Sequence, residues 1–352
     1  MRKRILSITQ YIIFLGGGLF LVWWQLKSMT AAEEREFRNA FTFADYWLVI
    51  PVICMSIFSH ISRSMRWKLL MEPLGYHPKL KNVFAVTMVG YLANSAVPRL
   101  GEILKCTFLA RYEHLKVDKL VGTILVERTF DFICYLFFIG ITVLIQINVV
   151  GSFVKDKLNA LAKDDFPLRA KLAFLIIILS GVIYGIRLLV RRYPSNRLII
   201  KTTLFLKGIG DGFTAIKNLK HRKQFILHTF FIWTMYLLQI YLGFSAMDGT
   251  AHLGLKAACS VLSLSTLAMI VTPGGIGSFP FFVMQTLLIY SISQPMGKAF
   301  GWLIWGVSTG IVITAGLLSL LLLPYLNKFK KHEISTGDTR QDIHPSRSAD
   351  GD

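Results

Sequence analysis

The chain has 352 residues, of which 53% are hydrophobic and 17% charged, with 39 Lys plus Arg against 20 Asp plus Glu and a formal net charge of +19. So few charges cannot clothe a water-soluble surface, which excludes an ordinary soluble domain and points to one membrane domain of several spans. The basic excess carries no nucleic-acid motif, and in membrane proteins Lys and Arg collect in cytoplasmic loops, so nucleic acid is not expected as a partner.

Taken in chain order, Met1-Arg2-Lys3-Arg4 precedes an apolar run to Trp24 with no clear Ala-x-Ala site, which reads as a retained signal-anchor helix. Spans of about 20 residues, enough for ~30 Å of hydrocarbon, are predicted at 5–26, 45–62, 121–147, 169–190, 225–247 and 298–323. Two further apolar regions, 83–112 and 254–292, are interrupted, the first over Ala96–Glu102 and the second over Thr272–Ser278. Proline removes a backbone donor and glycine frees the chain, so both are expected helix breaks. The arms of the first hold about 15 and 11 residues, ~22 and ~16 Å of helix, too short to span alone. A re-entrant hairpin is predicted there, while the longer second region is open to either a hairpin or two full spans. The fold class is thus an all-α polytopic membrane protein with six spanning helices and two interrupted re-entrant helical hairpins.

With the N-terminus placed inside, the cytoplasmic segments carry 26 Lys plus Arg and the outer segments 10, so both termini are expected in the cytoplasm. Residues 45–147 and 225–323 then read alike as span, interrupted hairpin, span, with opposite entry sides, the plan of an inverted repeat. Between them, 195–220 has apolar residues at helical spacing and a Lys/Arg-rich polar side, which suggests an interfacial helix on anionic cytoplasmic headgroups. Residues 1–326 form the membrane domain, and 327–352 read as a disordered cytoplasmic tail. Cys54, Cys106, Cys134 and Cys259 lie in apolar segments without metal-ligand spacing, so neither a disulfide nor a metal is expected. With no Walker A sequence either, no cofactor is implied.

Charge inside the membrane is costly and therefore informative. Arg99, Glu102 and Lys105 recur three apart after the first break, and Glu127, Arg128 and Asp131 cluster in the span beginning near 121. Arg128 and Asp131, three apart, are able to pair. These groups either pin helices together or form a polar cavity for a charged headgroup, for which the planar guanidinium is well shaped. Helix N-termini following the breaks, near Gly101 and Ser278, are natural anion sites. Pro98 and Gly101 shape the first tip, and Pro273, Gly274, Gly275 and Gly277 the second. Asn94, just before the first break, adds neutral hydrogen-bonding capacity.

Three stretches, Gly90–Glu102 around Asn94-Ser-Ala-Val-Pro98-Arg99-Leu-Gly101-Glu102, Val126-Glu127-Arg128-Thr-Phe-Asp131, and Thr272-Pro273-Gly274-Gly275-Ile-Gly277, together resemble the lysylphosphatidylglycerol synthase transmembrane region family, also called flippase-like. The resemblance covers about residues 5–325. It implies a multi-pass protein of the bacterial inner membrane that moves a phospholipid or lipid-linked headgroup between leaflets. In the family's best-understood members the lipid is aminoacylated, and a separate soluble domain makes it. No such domain follows Leu326, so lysyl transfer is not implied. Asn94, Arg99, Glu102, Glu127, Arg128 and Asp131 match the family's motifs by resemblance, and their charge and position make them the expected lipid-binding residues, Arg99 and Arg128 on the phosphate and the carboxylates balancing charge or receiving an amine. A homo-oligomer or a separate lipid-synthesising enzyme is open as a partner. An intramembrane lipid-modifying enzyme and a non-transporting partner of envelope biosynthesis stay open as alternatives.

Overall fold

The computed structural model describes residues 2–146, 217 and 219–338. Among these there is no strand, and ten α-helices make up most of the structure. The predicted span 169–190 and, but for its last residues, the interfacial helix 195–220 lie outside the described residues.

Helix α1 covers Arg2–Lys27 and α2 covers Ala31–Thr42. Thr30 starts α2: its hydroxyl accepts from the Glu33 N–H at 3.3 Å while the Glu33 carboxylate accepts from the Thr30 N–H at 2.8 Å. This reciprocal cap satisfies two donors that a helix start otherwise leaves open. The predicted spans leave 27–44 between them, and Phe37 and Phe41 fold α2 onto the bundle there. Helix α3 covers Val49–Met71, with exposed Tyr46 and Trp47 at its mouth, amphipathic rings of the kind found at headgroup level. The predicted end at residue 62 is too early. Arg63 and Arg66, which suggested a cytoplasmic loop, remain helical because ion pairs inside the protein receive them, as described below.

Helix α4 covers Leu80–Ala96 and α5 covers Leu100–Glu113, separated at Val97–Arg99 as predicted. Their 17 and 14 residues make roughly 25 and 21 Å of helix, and the two lie side by side as a hairpin. The contact is near-backbone: a Cβ on Gly101 would stand 1.9 Å from the Gly90 carbonyl oxygen, so only glycine fits. Helix α6 covers Val117–Ile145 and α7 covers Arg222–Phe244. The second break is also present, with α8 at Leu255–Val271 and α9 at Ser278–Leu288. Helix α9 has 11 residues, about 16 Å. Helix α10 runs over Gln294–Asp338, with Pro324 inside it, so the chain is still helical beyond the predicted tail boundary at 327.

Among the described residues, four stretches, 46–74, 117–145, 222–244 and 294–327, are long and apolar enough to cross a membrane. The outward Leu125, Phe137, Phe230 and Leu321 are each more than 60% exposed, as lipid-facing side chains are where hydrocarbon is the solvent. Inside, α3 packs along α7, α4 against α10, and α8 against α6. One core gathers Phe244, Ala258, Val261, Leu287 and Phe300 from α7 to α10. The other gathers Trp67, Met71, Val86, Leu109, Leu120 and Phe225 from α3 to α7. The two breaks meet between them. A Cβ on Gly274, which holds φ 60°, would lie 3.2 Å from the Ser95 carbonyl oxygen at the end of α4.

Candidate functional site

Where α3, α5 and α6 converge, charge is gathered in the interior. Glu127 and Asp131 stand four apart on α6, one turn of helix, so both carboxylates project toward α3. Arg63 and Arg66, three apart on α3, meet them. Arg66 is fully buried and places Nη2 2.6 Å from Asp131 Oδ1 and 3.3 Å from Glu127 Oε1. The 2.6 Å contact is a close charge pair lying off the hydrogen-bond direction, since Asp131 Oδ1 has no aligned donor among the described residues. The remaining fork of Arg66 donates to Thr229 Oγ1 on α7 at 3.1 Å. Arg63 reaches Asp131 Oδ2 at 3.5 Å, its guanidinium lying 5.9 and 5.8 Å from the ring centres of Tyr91 and Tyr236. From α5, Lys105 donates to Glu127 Oε2 at 3.2 Å and sits 3.8 Å above the Trp67 ring. Trp67 is held in turn by its Nε1–H donating to Thr123 Oγ1 at 2.9 Å. Every member of this network touches a second partner, which helps buried ions to be tolerated, while Arg63 Nε, Arg66 Nε and Asp131 Oδ1 have no aligned hydrogen bond among the described residues.

Arg128 and Asp131 do not pair with each other, contrary to the expectation from their spacing. Arg66 and Arg63 take Asp131, and Arg128 has no ion pair among the described residues. Instead Arg128 turns to a crevice lined by Gly90, Tyr91, Asn94, Glu102 and Lys105. Three buried polar atoms there lack a partner among the described residues: Arg128 Nε, Glu102 Oε2 and the Tyr91 hydroxyl. The crevice has a volume of about 10 Å³, room for about one water. A larger group needs α4–α5 to move.

Asn94 lines the crevice and ties α4 to α5 beside it. Its Oδ1 accepts from the Gly101 N–H at 2.7 Å and its Nδ2 donates to Glu102 Oε1 at 3.2 Å. It thus caps the start of α5 from across the turn. Pro98 and Arg99 are exposed at the tip, outside the ionic centre; Arg99 takes φ 68°, unusual without a glycine, to begin α5. The second tip is tied to protein on several sides. Gln25 of α1 donates to the Gly277 carbonyl at 2.8 Å, and Trp305 of α10 donates to that of Gly274 at 2.9 Å. Ser278 donates to the Ala268 carbonyl at 2.8 Å, and Pro273 and Gly275 are buried beside it. Of the expected residues, then, the fold brings together Asn94, Glu102, Glu127, Arg128 and Asp131, with Gly101 as their hinge contact. Arg99, Pro98 and the second tip lie elsewhere. Sequence reasoning missed Arg63, Arg66 and Tyr91. A polar stripe through the apolar run, with Ser56, Ser59, His60, Ser62 and Arg66 all buried on α3, was the signal that could have found the arginines.

A helical bundle with membrane-length apolar helices and a charged centre sealed inside it defines a multi-pass membrane protein. The chain belongs to the lysylphosphatidylglycerol synthase TM region family, which matches residues 7–316. It is similar to the UPF0104 membrane protein of Methanocaldococcus jannaschii, with 22% identity over 78% of this chain and 84% of that one. The UPF0104 membrane protein of Pyrococcus horikoshii is 22% identical over 79% of this chain and 84% of its own. The one of Methanothermobacter thermautotrophicus is 21% identical over 69% and 75%. No solved structure matches the chain.

Proposed function

We propose that this protein is a flippase-like lipid translocase of the inner membrane, whose headgroup site is the crevice at Arg128 and the ionic centre behind it. The observation that carries the reading is an imbalance of buried charge. Arg63, Arg66, Lys105 and Arg128 face only Glu102, Glu127 and Asp131, and the unmatched cation, Arg128, is the one that lines a crevice with unpartnered polar atoms. An anionic headgroup supplies the missing charge, and a guanidinium binds phosphate oxygens strongly and directionally. Acyl chains would stay in the surrounding lipid while the headgroup crosses.

In this reading α4–α5 and α8–α9 are re-entrant hairpins, since α5 and α9 are short of ~30 Å and their breaks face each other. The pairings α3 with α7, and α4 with α10 against α8 with α6, fit an inverted repeat of 45–147 and 225–323. Both termini would lie in the cytoplasm. Moving Arg63 and Arg66, and the buried Lys298, out of the loop counts leaves 24 inside against 9 outside, still a clear positive-inside bias. The test is leaflet exchange in proteoliposomes carrying fluorescent phosphatidylglycerol, with the outer leaflet quenched by dithionite. The parent protein is expected to expose inner-leaflet probe faster than protein-free vesicles, and Arg128→Ala to lose that gain. A parent no faster than empty vesicles overturns the proposal.

A further inference from the structure

One titratable group beside the centre has no part in that scheme. His60 sits on α3 one turn before Arg63, is only 9% exposed, and has an Nδ1 without a hydrogen-bond partner among the described residues. Its ring centre lies 5.3 Å from that of Tyr91, the same tyrosine whose unpartnered hydroxyl lines the crevice with Arg128 and Glu102. Arg63 stacks over that ring as well. His60 therefore stands directly behind the crevice wall, joined to it through one side chain.

We infer that His60 is a proton-binding site linked to the headgroup site, so that a proton and an anionic headgroup are taken up together. This rests on the translocase reading and adds to it. A proton on His60 is a fifth cation placed next to Arg63, in a region where four cations already exceed three carboxylates. With the crevice empty that proton is repelled. An anion at Arg128 supplies negative charge on the far side of Tyr91 and relieves the repulsion. By reciprocity, the proton then strengthens anion binding by the same factor. The other groups around His60 do not cancel the effect. On its own helix there are Arg63 and, further on, Arg66. Tyr91 comes from α4, Tyr236 and His228 from α7, and Asp131 and Glu127 from α6, where both carboxylates are already engaged by arginine. Helix α10 also packs on α3, but between Lys298 and Tyr325 it has no titratable residue. Histidine is the side chain whose unperturbed charge change falls in the neutral range, to which a neighbouring anion returns it, whereas a phosphodiester does not titrate there.

The experiment uses the full chain in phosphatidylcholine nanodiscs with phosphatidylglycerol as the probe, and measures its affinity at about pH 5.5 and about pH 7.5. The parent is expected to bind about fivefold more tightly at the lower pH. It should also take up protons on binding, read with a pH indicator in weak buffer. His60→Gln and His60→Asn, both neutral and of similar size, are expected to bind with no pH dependence. His228→Gln, which removes the other histidine near the centre, is expected to keep it. Binding that is equally pH-independent in the parent, or a pH dependence that survives both His60 variants, overturns this inference and leaves the translocase reading standing. A parent that binds no phosphatidylglycerol at either pH overturns both.

Discussion

Glu127 is the carboxylate on which the ionic centre depends most, so its removal tests the architecture directly. It is fully buried and faces two cations, Lys105 at 3.2 Å and Arg66 at 3.3 Å. With an effective dielectric constant of about 20, each contact is worth about 5 kcal/mol of gross attraction, offset by several kcal/mol for burying each ion. Arg66 keeps Asp131 when Glu127 is lost. Lys105 keeps only the Trp67 ring, and a cation–π contact returns roughly 1–2 kcal/mol. Glu127→Leu is therefore expected to lower unfolding stability by about 3–5 kcal/mol, the usual cost of stranding a buried charge. Lys105→Met/Glu127→Leu removes the stranded ammonium along with its partner, so it should recover at least half of that loss. Both are measured by SDS-titration unfolding of purified protein in mixed micelles. If the double variant is as unstable as Glu127→Leu alone, the destabilisation does not come from an unpaired Lys105, and the account of the centre is wrong.

Arg128, which makes no ion pair among the described residues, should behave in the opposite way: Arg128→Lys is expected to melt within about 1 kcal/mol of the parent while leaflet exchange falls more than tenfold. A stability loss as large as that of Glu127→Leu would assign it to the scaffold. Asn94→Ala removes the bonds to Gly101 and Glu102 and is expected to cost about 1–3 kcal/mol and to raise the reactivity of a cysteine placed at Val97. Unchanged reactivity there would refute a latch role. Gly101→Ala, whose Cβ would meet the Gly90 carbonyl at 1.9 Å, is expected to abolish folded protein or exchange, as judged by size-exclusion yield and flux. At the α2 cap, the backbone N–H and hydroxyl of Thr30 hold the Glu33 carboxyl below its ordinary range. The cap's contribution is thus complete above the ordinary carboxylate value and lost as pH falls through the lowered one. Amide exchange in the first turn of α2 should rise on acidification in the parent, and Glu33→Gln should already show the faster exchange at neutral pH.

Much of this architecture is legible without a structure, because hydrocarbon imposes a local rule. Any segment that crosses must be apolar for about 20 residues and helical, since no water is there to satisfy its backbone. Composition therefore establishes the class, and Pro98, Gly101, Pro273 and Gly274 mark where helices stop, because proline and glycine act on the backbone at their own positions. The carboxylates Glu127 and Asp131 stand out for the same reason: charge deep in an apolar run is conspicuous. Tertiary structure alone decides who their partners are. Arg66 is 61 residues from Glu127, and the sequence around it resembles any basic helix end at a membrane surface. Only the packing of α3 beside α6 turns Arg63 and Arg66 inward and takes Asp131 away from Arg128. Arg99, by contrast, matches the sequence motif but sits exposed, because the turn that begins α5 sends it away from the centre. Ion pairing depends on distances of a few ångströms between helices remote in sequence, and neither spacing nor hydropathy encodes those distances.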